Sequence, residues 1–114
     1  MVILYGIKNC DSVRKARRWL AEHRIEYRFH DLRAAGLSEA LLDKWIEELG
    51  WETLLNQRGT TWRKLPENQR INPGPATARR IMLAHPASIK RPLIDTGTSR
   101  HVGFSDAEYT SLFG

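Results

Sequence analysis

Cys10 is the single cysteine of the 114-residue chain and stands in the stretch YGIKNCDSVRKARRWL, residues 5–20. A cysteine thiolate attacks disulfide sulfurs and oxidised oxyanions, and a thiol of ordinary pKa, about 8.5, becomes that nucleophile when a helix N-terminus or nearby cations stabilise its charge. Both devices are written around Cys10. A helical pattern opens directly after it, turning unpaired backbone N–H groups and the positive end of the helix dipole toward the loop, and Lys8 and Arg14 lie close by. The same amides suit an oxyanion. Position alone also admits the plainer reading, in which Cys10 is a small, inert apolar side chain.

The elements that must hold this loop follow from periodicity. Residues 2–5, Val-Ile-Leu-Tyr, closed by Gly6, predict a buried strand. From Asp11 onward Val13, Ala16, Trp19, Leu20 and His23 recur at three- and four-residue spacing, while Arg14, Lys15, Arg17, Arg18 and Glu22 fill the other face, which predicts an amphipathic helix. Ile25, Tyr27, Phe29 and Asp31 alternate with Glu26, Arg28 and His30 as a second, modestly buried strand. A right-handed crossover makes the two strands parallel and sets the Cys10 loop at the carboxyl edge of the sheet, where such folds bind ligands.

Downstream, GLSEALLDKWIEELGW predicts a helix with Ser38 as N-cap, a Leu37–Leu42 staple and a stop at Gly50. Two short apolar turns follow, broken at Gly59 and ended by Pro66. A helix starting at Pro75 stops before Pro86, with Ala78, Ile81, Met82 and His85 on one side. RPLIDTG and RHVGF resemble two short strands joined at a glycine-containing turn, and Ser105 with Glu108 forms a capping box for a last helix. The order is β-α-β, a helical block, then β-β-α. It predicts one α/β domain over residues 1–114 with a helical insertion at about 37–85, since no repeat, low-complexity tract or long linker intervenes.

Composition narrows the partners. The formal charge is +5 with pI near 9.8, and arginine outnumbers lysine thirteen to five, which favours anionic partners met by forked guanidinium donors. One cysteine forbids an intrachain disulfide, so a reducing, cytoplasmic location is expected. The N-terminal apolar run lacks the basic flank and length of a signal peptide, and no 18-residue apolar span occurs, so neither export nor membrane insertion is expected. His23, His30, His85 and His101 show no paired metal-ligand spacing, and no metal is expected. The basic run RKARRWL does not predict nucleic-acid binding, because Trp19 falls on the apolar stripe and leaves the cations as a solvated face.

Taken together and in this order, YGIKNCDSVRKA, LLNQRG, IKRPLI and VGFSDAEY resemble the YffB branch of the arsenate reductase family, the glutaredoxin-linked group that also includes the Spx regulators. The resemblance covers nearly the whole chain. It implies a thioredoxin-like (glutaredoxin-like) fold with an inserted helical subdomain. Cys10 then corresponds to the family nucleophile, Arg91 to an active-site arginine, and Pro92 to the proline that is cis in such folds and faces the cysteine. Arg58 corresponds to a second family arginine, in a loop whose spacing differs between branches; read alone it is equally a solvated loop charge. A third arginine of the arsenate reductases has no match, the chain reading His101, Val102, Gly103, Phe104 there. Asn9 and Asp11 either pin the cysteine loop by hydrogen bonds or serve only as turn formers, and Lys8 and Arg14 contribute field without direct contact.

A lone thiol carries a mechanistic consequence. The adduct formed at Cys10 must be resolved by a second thiol, and the chain holds no other. Glutathione, anionic at two carboxylates, suits a basic cleft with Arg58 and Arg91, so the expected activity is a glutathione-dependent thiol reduction with no bound cofactor. Arsenate reduction with glutathione or glutaredoxin as partner is the enzymatic alternative. The other is an Spx-like regulator binding RNA polymerase, without the Cys-x-x-Cys switch such regulators carry, since Val13 takes the second position.

Overall fold

In the computed structural model, which describes residues 1–114, the apolar run after Met1 becomes β1 (Val2–Gly6) and the amphipathic stretch α1 (Asp11–Glu22). The remaining elements are β2 (Tyr27–Asp31), α2 (Leu32–Ala35), α3 (Glu39–Leu49), α4 (Trp51–Leu54), α5 (Thr60–Arg63), α6 (Glu67–Arg70), α7 (Pro75–Ala84), a 3₁₀ turn (Pro86–Ser88), β3 (Leu93–Asp95), β4 (Arg100–Val102) and α8 (Asp106–Phe113). They group into two compact units, one formed by Met1–Asp31 with Arg91–Gly114, the other by Leu32–Lys90. No helix is long and apolar enough to cross a membrane.

The first unit is built on a four-stranded sheet in the order β2-β1-β3-β4. β1 and β2 run parallel, from Val2 opposite Tyr27 to Gly6 opposite Asp31, and β3 lies antiparallel to both β1 and β4. Because side chains alternate across a strand, Leu4 and Ile94 share one face, and there they meet Ala16, Trp19 and Leu20 of α1 and Tyr109 of α8 in a common core. Each large side chain so buried is worth about 1.5–3 kcal/mol. The aromatic rings interlock, Trp19 standing edge-on to Tyr109 at 5.5 Å and Phe104 to Tyr109 at 4.8 Å. This β-α-β then β-β-α arrangement is the thioredoxin-like fold.

Two expectations change in this unit. The periodicity puts His23 on the buried stripe; instead it caps the C-terminus of α1 and is exposed, its ring stacked on Trp19 at 3.8 Å and its Nδ1 2.8 Å from the Trp19 carbonyl oxygen. An imidazole can cover an indole with one face while its polar edge stays in water. The second strand starts at Tyr27, not Ile25, because Arg24 turns left-handed (φ 55°) and the N–H of Ile25 donates back to Leu20 O at 3.0 Å, a Schellman closure of α1.

The second unit is helical. Ser38 Oγ accepts from the Leu41 N–H at 3.2 Å and Gly50, at φ 86°, ends α3, both as the sequence predicts. Leu42 and Trp45 of α3 and Ala78, Ile81 and Met82 of α7 are buried. Arg79 ties the same two helices on the outside, donating to Asp43 at 2.7 Å and Glu39 at 3.2 Å. His85, expected on the buried side of α7, is its exposed C-cap, since the chain leaves the helix there to enter the turn at Pro86. The single-turn helices α2 and α6 carry no periodic signature and are not foreseen.

Candidate active site

Cys10 is the N-cap of α1, with extended backbone (φ −125°, ψ 124°), and its carbonyl accepts the first intrahelical bond from the Arg14 N–H at 2.9 Å. The side chain is half-buried. Ile7, buried, anchors the start of the loop, and exposed Lys8 and Asn9 form the turn that lifts the chain to the cysteine. No side chain caps α1, so the N–H groups of its first turn open onto the loop without a serine or aspartate oxygen in the way. Asn9 acts as a turn former: it makes no side-chain hydrogen bond. Asp11 does not pin the loop either, because its carboxylate pairs with Arg14 on the exposed first turn of the helix. Arg14 is therefore a cation already matched by an anion, whereas Lys8 carries its charge free beside Cys10.

Sheet register brings Arg91 and Pro92 to the same end of the sheet as the Cys10 loop. β1 leaves the sheet at Gly6 and β3 enters it antiparallel with Leu93 opposite Tyr5, so the two residues ahead of Leu93 lie beside the residues after Tyr5. The Arg91–Pro92 bond is cis, Pro92 is buried, and its carbonyl accepts the Gly103 N–H at 2.8 Å, extending the β3–β4 ladder. Arg91 is half-buried, its Nε shielded from solvent. The stretch from His101 to Phe104 ends β4 at this same edge, with Gly103 in the left-handed region (φ 83°).

Arg58 belongs to the helical unit and sits exposed in the turn between α4 and α5, where its N–H donates to Asn56 Oδ1 at 3.0 Å. An isolated antiparallel bridge joins Leu55 to Ile89, flanked by the Asn56 N–H to Ser88 O bond (2.8 Å) and the Lys90 N–H to Leu54 O bond (2.7 Å). These bonds line up a cleft whose walls include Trp51, Glu52, Arg58 and Lys90. Of the four, the sequence reading singles out only Arg58, through the family resemblance of LLNQRG; a bridge spanning more than thirty residues is what recruits Lys90, and nothing local announces it. No cluster of three His, Cys, Asp or Glu side chains is arranged to hold a metal ion.

A lone, half-buried cysteine at a helix N-terminus thus stands at the same sheet end as an arginine–cis-proline pair at the neighbouring strand. Residues 5–112 match the sequence model of the ArsC family. The chain belongs to the ArsC family. Within it, the solved structure of the YffB protein superposes with a TM-score of 0.95 at 45% identity, covering 100% of both chains. An arsenate reductase (ArsC) related protein from Brucella melitensis is 48% identical, with a TM-score of 0.79, over 98% of this chain and 93% of that one. The global transcriptional regulator Spx of Lactiplantibacillus plantarum is 31% identical over 95% of this chain and 83% of its own length. ArsC-family membership thus spans relatives with enzyme-like and with regulatory names.

Proposed function

We propose that this ArsC-family protein is a cytoplasmic, glutathione-dependent thiol reductase acting through Cys10. The observation that carries the reading is the single, half-exposed cysteine at the N-cap of α1 in a chain with no second thiol. The Cys10 thiolate attacks one sulfur of a disulfide R–S–S–R′, forming Cys10–S–S–R and releasing R′S⁻. A glutathione thiolate then attacks the Cys10 sulfur, giving the Cys10–glutathione disulfide and RS⁻; a second glutathione attacks the glutathione sulfur, freeing Cys10 and yielding oxidised glutathione. Two electrons pass from two glutathiones to one disulfide. Arg91, beside the cysteine loop at the sheet end, stabilises anionic charge on the bound partner, Arg58 contributes to anion binding, and the free charge of Lys8 adds to the field. Pro92 and Asn9 shape the loop and its approach, and Asp11 and Arg14 form a pair on the first turn of the helix that follows it.

The test is steady-state reduction of a small disulfide with glutathione as the only reductant. Cys10→Ser should abolish turnover above the uncatalysed rate; full turnover in that variant sinks the reading. Substituting arsenate as oxidant in the same assay decides the enzymatic alternative, which the Brucella melitensis relative's name favours. The 31% identity to Spx favours a second reading, a regulator that binds RNA polymerase without an internal disulfide switch, Val13 standing where the second cysteine would be. A pull-down with the RNA polymerase α subunit tests it.

A further inference from the structure

The cleft of the helical unit has a charge pattern of its own. It measures about 540 Å³, within the range of small-ligand sites, and its walls carry Trp51, Glu52, Leu55, Asn56, Arg58 and Lys90. Glu52, Arg58 and Lys90 are all exposed at the cleft, and none of the three is in an ion pair. The unit does pair surface charges where it uses them for packing, as Arg79 shows with Asp43 and Glu39. The cleft walls are also held in place: the Leu55–Ile89 bridge and its two flanking bonds fix Lys90 against the end of α4, and Asn56 Oδ1 fixes the Arg58 turn.

Two cations and one anion around a cleft do not suit a polyanion, since Glu52 would repel it. They suit a ligand with two carboxylates and one ammonium. Trp51 and Leu55 add an apolar wall for the methylene chain that separates such groups. We propose that this cleft recognises the charged ends of glutathione, its carboxylates meeting Arg58 and Lys90 and its ammonium meeting Glu52; the ligand's identity rests on the thiol-reductase reading above. Recognition here is non-covalent, with no bond made or broken.

S-methylglutathione, which has no free thiol and cannot exchange with Cys10, is the probe, titrated into the whole chain by calorimetry and by amide chemical-shift mapping. Saturable binding with shifts centred on residues 51–58 and 90 is expected. Glu52→Gln and Lys90→Gln, both at exposed positions, should each weaken it about fivefold or more. Glutarate, with two carboxylates and no ammonium, provides the sign test: Lys90→Gln weakens it, but Glu52→Gln strengthens it. Absence of binding, shifts confined to other residues, or a Glu52→Gln affinity unchanged for both probes overturns the proposal. The two readings separate cleanly, because Cys10→Ser should bind S-methylglutathione normally. Loss of turnover in Cys10→Ser with no cleft binding leaves the reductase reading and removes the cleft. Full turnover in Cys10→Ser with cleft binding intact does the reverse.

Discussion

Gly6 and Val13 close the cysteine loop against each other. A Cβ built on Gly6 would lie 2.7 Å from Val13 Cγ2, closer than carbon atoms approach, and 3.1 Å from Cγ1, a tight contact. Gly6 is not left-handed, so the constraint is space and not backbone conformation. Val13 is fully buried on the first turn of α1, and a β-branched side chain in a helix has essentially one rotamer, so it cannot swing aside. Gly6→Ala must therefore push the first turn of α1, and Cys10 with it. The expected cost is about 1–3 kcal/mol in urea unfolding, with a changed rate of Cys10 alkylation by iodoacetamide at fixed pH. Adding Val13→Ala should recover part of both effects, since the two sites share one contact. Wild-type stability and alkylation rate in Gly6→Ala would remove the link between this packing and the nucleophile's position.

Arg79, bridging α3 and α7, makes a pH-dependent contribution to stability. Its guanidinium hydrogen bond holds the Asp43 carboxyl below the ordinary carboxylate range, while Arg79 itself is pushed further up. A depressed folded-state pKa means the pair stabilises fully above the unfolded value, about 3.9, and the contribution fades as pH falls through the lowered folded value. Wild type should thus exceed Asp43→Asn in stability at pH 6, and the gap should close on acidification and shrink in molar salt. A gap that persists at pH 2 would mean the aspartate acts by packing alone.

The N-cap of α8 gives a test at one oxygen. Ser105 Oγ accepts the Glu108 N–H at 3.1 Å, and α8 carries Tyr109 into the core beneath the sheet. Ser105→Ala should cost about 1 kcal/mol, and Ser105→Asp should restore most of it, both read from urea midpoints. Equal midpoints for all three would show that tertiary packing alone holds α8 in place.

These caps are also where sequence and structure agree most closely, and the reason is range. Ser38, Gly50, Ser105 and the apolar run of β1 act within a few residues, so local chemistry is enough to specify them. The cysteine at a helix start after a strand is local too. What escapes local reading is whatever the chain assembles from a distance: Arg79 reaching residues 36 and 40 positions away, or Lys90 placed beside Trp51 and Glu52 through a bridge at Leu55. His23 and His85 fail for another reason. Helical spacing places both on the apolar side, but each falls at a C-cap, where the chain departs from helical geometry and leaves the residue exposed.

Tyr109 holds a polar atom where the core offers it nothing. The residue is fully buried among Trp19, Phe104 and Phe113, and its hydroxyl has no hydrogen-bond partner. An unmet buried hydroxyl costs free energy that the same ring without it would not. Tyr109→Phe keeps every ring contact, so it should leave stability unchanged or raise it by up to about 1 kcal/mol. The alkaline limb sharpens the test. Burial, with the Glu108 charge adding to it, pushes the Tyr109 phenol well above its ordinary value. The neutral ring therefore stabilises the fold below about pH 10, the unfolded value, and this is lost as pH rises beyond it, because the unfolded chain ionises first. Wild type should lose stability above pH 10 more steeply than Tyr109→Phe. Parallel alkaline curves for the two proteins, together with a destabilised Tyr109→Phe, would mean that the hydroxyl is satisfied in solution and that the ring is not what senses base.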